Sequence, residues 1–261
     1  MTAERLQPFP VPRGAADGYR PVIIMGDADR AVVVIPCFNE ARRLKMPEFV
    51  RFSALHPNIS FIFVNDGSTD ATSRVLAETC GGDRLLVLEL ERNVGKAEAV
   101  RRGMSEALKA GCVCGFWDAD LSTPLSEIPV MLESLRSGDF KCVVGSRWLH
   151  LGNCCIKRRF FRHFIGRIFA TCVSMKLKLP VYDTQCGAKL FTCEAAGAAF
   201  SEPFVTRWFF DVEIIRRLRR FYGEDPRLLL EHSVSSWIDA PGSKVSYCRA
   251  LIDFIKLMVS K

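Results

Sequence analysis

A chain of 261 residues that is 49% hydrophobic and 25% charged has apolar material for one large core or two small ones, which excludes a disordered or fibrous sequence. Its formal charge of +7 is concentrated, because residues 156–179 hold Lys157, Arg158, Arg159, Arg162, Arg167, Lys176 and Lys178 with no acid, and the remainder balances. No apolar run reaches the roughly eighteen residues of a simple transmembrane helix, and the N-terminus lacks the basic, apolar and small-residue succession of a secretory signal, so the chain is expected to stay in the cytosol.

Residues 1–30, with Pro8, Pro10, Pro12 and Pro21, read as an irregular arm. From Ala31 onward, β-branched apolar runs recur at Ala31–Ile35, Ser60–Val64, Arg84–Leu90, Cys112–Trp117 and Phe140–Val144, about 28 residues apart with helical patterns between them. That rhythm predicts an α/β fold: an open, mostly parallel twisted sheet flanked by helices. Helices are expected over Asp70–Cys80 after the cap candidates Ser68 and Thr69, over Gly95–Ala110, and from Thr123-Pro124. Residues 31–145 form the first half of the domain. After Gly145 come the basic aromatic segment, an isolated Asp183–Phe191 stretch, a helix over Arg207–Phe221, a strand candidate at Leu228–Trp237 and an amphipathic helix over 247–261. Residues 146–246 are expected to elaborate the same sheet on the acceptor side.

Eleven cysteines, an odd number, with Cys112, Cys114 and Cys142 inside apolar runs, read as reduced small hydrophobes. The four scattered histidines give no zinc pattern.

Ligands of open parallel sheets bind at the carboxyl ends of the strands, and here those ends are acidic. The first run ends in Pro36-Cys37-Phe38-Asn39-Glu40, the second in Asn65-Asp66-Gly67-Ser68-Thr69-Asp70 and the fourth in Asp118-Ala119-Asp120. Neither a dinucleotide-binding glycine fingerprint nor a P-loop follows the first strand, so nucleotide phosphates need another neutralising group. Asp118 and Asp120, two residues apart beyond a strand, suit Mg²⁺ or Mn²⁺ whose open positions accept diphosphate oxygens; taken alone, the pair also reads as a polar turn.

These motifs, with Asn93-x-Gly95-Lys96 and Gly145-Ser146-Arg147, resemble the successive motifs of family 2 inverting glycosyltransferases with the GT-A fold. Asp118 through Pro124, Asp183-Thr184-Gln185-Cys186-Gly187-x-Lys189-Leu190-Phe191, Arg207-Trp208-x-Phe210-Asp211-x-Glu213 and Trp237-x-Asp239-x-x-Gly242-Ser243-Lys244 are similar to its dolichyl-phosphate β-glucosyltransferase branch. The resemblance covers about residues 31–246 and implies transfer of glucose from a UDP-sugar donor to a polyprenyl or dolichyl phosphate. It implies that Pro36, Glu40 and Asp66 line the uridine pocket, the Asp66 carboxylate accepting a hydrogen bond from the base, that Asn39 belongs to the nucleotide-sugar site, and that Lys96 lies near the nucleotide or its phosphates. Asp118 is expected to face ribose and metal, with Asp120 the principal ligand. Asn65 and Ala188 replace the usual Asp and a frequent Phe, and Ser122 stands where mannosyl-transferring relatives commonly carry Gln.

A lipid phosphate acceptor is already anionic and needs a cationic cradle, for which Arg147, Arg158, Arg159 and Lys244 are the candidates. Asp211 acts as a base, as an orienting group, or as the partner of Arg207 or another arginine on its helix. Gln185 and Lys189 support the sugar or the acceptor, or belong to a surface loop. Trp208 and Trp237 pack under the sugar or in the core. Cations beside phenylalanines in residues 156–179 suit an anionic membrane surface, which would hold the protein peripherally at a cytosolic face, that of the endoplasmic reticulum in a eukaryote; a solvated helix is the plainer alternative. Nucleic acid is not expected as a partner, since the acidic edge would repel its backbone. Mannosyl transfer from GDP-mannose, a soluble hydroxyl acceptor and a non-catalytic nucleotide-sugar binding protein stay open as alternatives.

Overall fold

The computed structural model describes residues 30–110, 113–147, the backbone of 155–157, residue 181, and residues 183–207 and 209–238. The arm before Arg30, the basic segment beyond Lys157, the C-terminal helix, and Arg158, Arg159, Trp208 and Lys244 lie outside the described residues.

The apolar runs form the strands that their composition calls for: β1 (Ala31–Cys37), β2 (Ile59–Asp66), β3 (Leu85–Leu90), β4 (Val113–Trp117) and β5 (Cys142–Ser146). Every residue of β2 is buried, as expected of a strand covered on both faces. Alternation divides them between two cores. Val32, Val34, Ile62 and Val64 point to one face, where they meet Val100, Met104, Phe210 and Ile214. Val33, Ile35, Phe61 and Phe63 point to the other, against Phe49, Leu76, Ile128 and Met131.

The helices between these strands are α1 (Met46–Leu55), α2 (Thr72–Thr79), α3 (Lys96–Ala107) and α4 (Glu127–Ser137). Pro47 opens α1, and Phe49 meets Phe61 and Phe63 edge-on at 5.3 and 5.0 Å. A Cβ on Gly103 of α3 would lie 2.4 Å from Val34 Cγ1 and 2.7 Å from Val64 Cγ2, so glycine is what lets this helix approach the sheet. Two expected helix starts are corrected. Asp70, rather than Ser68 or Thr69, accepts the Thr72 N–H at 2.9 Å at the head of α2. The Thr123 carbonyl accepts the Trp117 indole N–H at 2.8 Å, so residues 123–126 form turns and α4 starts at Glu127.

The second half of the chain adds β6 (Cys155–Lys157), β7 (Ala188–Phe191), α5 (Cys193–Phe200), α6 (Phe210–Tyr222), β8 (Leu229–Ser233) and β9 (Ser236–Ile238). The seven-stranded sheet has the order β3-β2-β1-β4-β7-β5-β8, parallel except for β7, which lies antiparallel between β4 and β5. The isolated Asp183–Phe191 stretch is thus a central strand and the loop leading into it. Helix α5, capped by Thr192 on the Ala195 N–H, is an element that the sequence reading left unassigned. Helix α6 starts three residues later than expected because the Glu213 carboxylate takes the N–H groups of Val205 and Thr206 at 2.9 and 2.8 Å, fixing the preceding turn.

The single strand expected over Leu228–Trp237 is two, because buried Glu127 interrupts it. Its carboxylate accepts the N–H of Ser235 at 3.1 Å and the Ser235 hydroxyl, and lies 2.9 Å from Nε2 of His232. The chain turns there and enters a separate two-stranded sheet with β6. The Ile238 N–H then donates to the Ser122 carbonyl at 3.1 Å, tying β9 to the loop after Asp120.

Burial pushes the Glu127 carboxyl up, but the hydrogen bonds from Ser235 and His232 outweigh it and hold the group below its ordinary value of 4.5. A lowered carboxyl stabilises the fold fully above 4.5 and loses that contribution as pH falls through its folded-state value. Glu127→Gln is expected to lower unfolding free energy by about 1–3 kcal/mol at pH 7. In urea titrations across the acid range the deficit should shrink toward zero below the folded-state value; a deficit that stays constant would contradict this account.

Candidate active site

Four strand ends and the head of α6 deliver polar side chains to one edge of the sheet. At the end of β1, Asn39 adopts a left-handed backbone with φ 51°. Its N–H donates to Ser68 Oγ at 2.9 Å and its Oδ1 accepts the Thr69 N–H at 2.8 Å, lacing the first motif to the second. Glu40 is buried; its N–H donates to Thr72 Oγ1 at 2.8 Å and its carboxylate holds Arg43 through Nε at 2.7 Å and Nη2 at 2.5 Å. The Arg43 guanidinium is raised above its ordinary value, first by its hydrogen bond to Glu40, against burial, with Asp120 and Asp118 adding to the effect. Arg43 is a cation at this edge that the motifs did not single out.

Asp66, at the end of β2, fastens the loop before α3. Oδ1 accepts the Val94 N–H at 2.7 Å, and Oδ2 accepts Asn93 Nδ2 and the Gly95 N–H, both at 2.9 Å. Burial raises its carboxyl above the ordinary value against those backbone donors. Asn65 donates to Glu89 Oε2 at 2.6 Å, an arrangement in which an aspartate would bring two carboxylates together. Gly95 has φ 96°, and a Cβ there would lie 2.7 Å from Nε of Arg207. Arg207 therefore sits over this loop and donates toward Asn93 at 3.5 Å.

Lys96, the first residue of α3, reaches Asp118 at the end of β4 with Nζ 2.5 Å from Oδ1. Burial works against the Lys96 charge, but Asp118 and Asp211 outweigh it and raise the ammonium above its ordinary value. Asp118 packs on Gly187, where a Cβ would fall 1.9 Å from Oδ2, so the glycine before β7 is the seat of this carboxylate. Asp120 Oδ1 accepts the Ser122 N–H at 3.0 Å across a turn in which Leu121 has φ 53°. No group of three or more His, Cys, Asp or Glu side chains able to hold a metal occurs among the described residues. The pair Asp118 and Asp120 still fits a hard divalent cation. Its donors are all carboxylate oxygens, one already holds a cation in the Lys96 ammonium, and the rest of a shell would come from diphosphate and water.

Lys189 requires a correction. It is fully buried on β7, with Nζ 2.6 Å from Asp211 Oδ1, 2.5 Å from the Cys186 carbonyl and 5.1 Å from the centre of the Phe116 ring. It therefore cannot touch a sugar or an acceptor, and its role is to hold Asp211. Asp211 pairs with this lysine rather than with an arginine of α6 or with Arg207. Burial raises the Asp211 carboxyl above its ordinary value, and Lys189 and Lys96 oppose that rise.

Arg147, at the end of β5, is likewise engaged. Its Nε and Nη2 bind both carboxylate oxygens of Asp183 at 2.6 and 2.7 Å, and its guanidinium lies 5.3 Å from the Trp237 ring centre. Asp183, seen in sequence only as a motif letter, is the acid that holds Arg147. Beside this pair, Gln185 Nε2 and the hydroxyls of Ser146, Thr184 and Ser233 are buried without a hydrogen-bond partner. Gln185 thus keeps unused donor capacity where Lys189 does not.

The model of glycosyl transferase family 2 matches residues 32–196. The dolichyl-phosphate beta-glucosyltransferase of Drosophila melanogaster is 35% identical over 231 residues, covering 82% of this chain and 68% of the relative. That of Homo sapiens is 31% identical over 230 residues with the same coverage. Among solved structures, glucosyl-3-phosphoglycerate synthase from Mycobacterium tuberculosis in complex with Mn²⁺ and UDP-glucose is similar, with a TM-score of 0.60 and 18% identity over 88% of this chain and 76% of that one. At that identity the likeness establishes the fold.

Lys189→Met is expected to strand the Asp211 carboxylate in the core and lower unfolding free energy by about 3–5 kcal/mol, whereas Lys189→Met with Asp211→Leu should recover most of the loss. Denaturant titration of the three proteins measures this; a double variant no better than the single would refute the pairing as the cause.

Proposed function

The chain belongs to glycosyl transferase family 2, and from that premise and the site geometry we propose that it transfers glucose from UDP-glucose to a dolichyl or polyprenyl phosphate with the help of Mg²⁺ or Mn²⁺. The observation that carries this reading is the Asp118/Asp120 pair at the end of β4, flanked by Lys96 and Arg43 toward the strands that begin the chain and by Arg147 toward those that end it. The names of the relatives supply the acceptor, and the solved neighbour with UDP-glucose and Mn²⁺ supports the donor and the metal.

In this reading Pro36, Asn39, Glu40 and Asp66 shape the nucleoside end of the cleft. Asp118 and Asp120 would hold the metal, which when bound would lower the barrier by neutralising charge on the departing diphosphate. Lys96 and Arg43 add positive charge at the same edge. Displacement at the sugar's anomeric carbon breaks its bond to the diphosphate while the acceptor phosphate oxygen forms the new one. That oxygen is anionic near neutral pH, so no strong base is required. Asp211, buried and salt-bridged, is an orienting group in this scheme, and Gln185 is the nearby side chain with a donor to spare.

The acceptor half of the proposal includes Arg158, Arg159 and Lys244 and assigns residues 156–179 to an anionic membrane surface. No helix among the described residues is long and apolar enough to cross a membrane. The contact proposed is attachment of the basic aromatic segment to an anionic surface.

Transfer of labelled glucose from UDP-glucose to dolichyl phosphate is expected with Mg²⁺ or Mn²⁺ and not with excess chelator. Asp120→Ala should lower kcat by about 10²-fold or more, the scale of losing one electrostatic contact to the leaving group. Efficient transfer from GDP-mannose instead, or full activity of the variant, would refute the assignment.

A further inference from the structure

Four ion pairs line this edge, and they differ in whether a solute can reach and replace them. Lys189 and Asp211 are 0% and 8% exposed, and Asp183 is 3% exposed inside a two-pronged grip by Arg147. Glu40 is 9% exposed and also held at two points by Arg43; Arg43 and Arg147 are themselves 26% and 20% exposed, so in these two pairs it is the acid that is shielded. Lys96 and Asp118 stand apart, at 30% and 35% exposure and joined at a single pair of atoms.

The backbone of Lys96 is held at the head of α3, while its side chain is held by one ion pair. The preceding Gly95 N–H is bound to Asp66, so the head of α3 is anchored to the end of β2. The ammonium rides on a flexible four-carbon stem and binds as a point charge, without the planar fork that commits arginine to one geometry. Its present oxygen belongs to Asp118, the residue that with Asp120 would hold a divalent cation.

A divalent cation cannot settle on that carboxylate beside the ammonium without strong repulsion, which in a partly shielded cleft amounts to a large fraction of the binding energy available. Metal arriving alone must therefore expel the ammonium toward Asp211 or water. Metal arriving with a diphosphate gives it a new partner.

We propose that Lys96 is a resident cation that occupies Asp118 until donor binds, so that divalent metal and nucleoside diphosphate enter as a coupled pair. The inference rests on the reading of Asp118 and Asp120 as metal ligands. It makes the free enzyme a poor metal binder by design of its charges, and it makes the coupling reciprocal, since whatever UDP adds to metal affinity metal must add to UDP affinity.

The test is binding, measured by calorimetric titration of Mn²⁺ into the full chain with and without UDP, with free Mn²⁺ followed independently by its paramagnetic resonance signal. In the wild type, UDP should tighten Mn²⁺ by about tenfold or more, within the usual range of coupling between sites. Lys96→Gln should bind Mn²⁺ alone about tenfold more tightly than the wild type, so that UDP adds less to its affinity than it does in the wild type, the gain from diphosphate oxygens as ligands remaining, and Lys96→Met should behave likewise. Lys96→Arg, which keeps the charge, should leave Mn²⁺ alone weakly bound. Equal or weaker Mn²⁺ binding by both neutral variants in the absence of UDP would overturn the proposal. Joint substitution of Asp118→Asn and Asp120→Asn should abolish Mn²⁺ binding in the presence of UDP; if it does not, the metal reading itself fails, a result distinct from the failure of the Lys96 role.

Discussion

Carboxylates gathered at one strand edge repel one another, and the structure of this site is largely the solution to that repulsion. Four acids at the edge have a designated cation: Arg43 for Glu40, Lys96 for Asp118, Arg147 for Asp183 and Lys189 for Asp211. Asp66 has backbone N–H groups instead, and its burial is bearable because both oxygens accept hydrogen bonds. Such pairs add little net stability when compared with apolar packing, but breaking a buried one such as Lys189–Asp211 leaves a charge in a place water cannot reach. They are best understood as fixing where each carboxylate stands. The glycines at 95 and 187 belong to the same solution, since each gives up a side chain so that a charged group from elsewhere can occupy the space.

The parts legible in the sequence are those governed by short-range chemistry. Five strands and three of the four helices between them follow from apolar runs, glycine stops and the rhythm of βαβ units, and the structure moves their ends by only a few residues. The strand ends that carry Asn39, Asp66 and Asp118 are where parallel-sheet geometry requires them to be. The errors lie where a carboxylate captures backbone N–H groups outside its own turn. Glu127 splits the last predicted strand by taking the Ser235 N–H, and Glu213 delays α6 by taking two N–H groups of the turn before it. No local pattern announces either event.

Lys189 shows the same limit in the site. Its neighbours in sequence mark it as part of a polar motif near the ligand edge, and only the antiparallel insertion of β7 between β4 and β5 reveals that it points into the core. A lysine in a strand between Ala188 and Leu190 reads as substrate-facing or solvated, because a fully buried lysine is rare unless paired, and its partner is 22 residues away. Arg43 errs in the opposite direction. It sits three residues from Glu40 in a stretch with no motif of its own, yet its charge lies in the field of Asp118 and Asp120. The pairing of acids with bases across long sequence separations is a property of topology, and composition conveys only that both are present.

The boundary of the family match illuminates how the site is assembled. Residues 32–196 include Asp66, Lys96, Asp118, Asp120 and the Arg147–Asp183 pair, whereas Asp211 and Glu213 lie beyond it. The boundary is not a structural one, since Lys189 within the match is neutralised by Asp211 outside it, and the electrostatics of Lys96 include Asp211 as well. Neither portion carries a finished charge pattern alone. Helix α6 is strongly two-faced, burying Phe210, Ile214 and Leu218, so its apolar stripe sets the position in which Asp211 completes that pattern. The charge on the ligand edge is thus fixed by packing on a hydrophobic face behind it, and a change in that core would be felt as a change in electrostatics at Lys96 and Asp118.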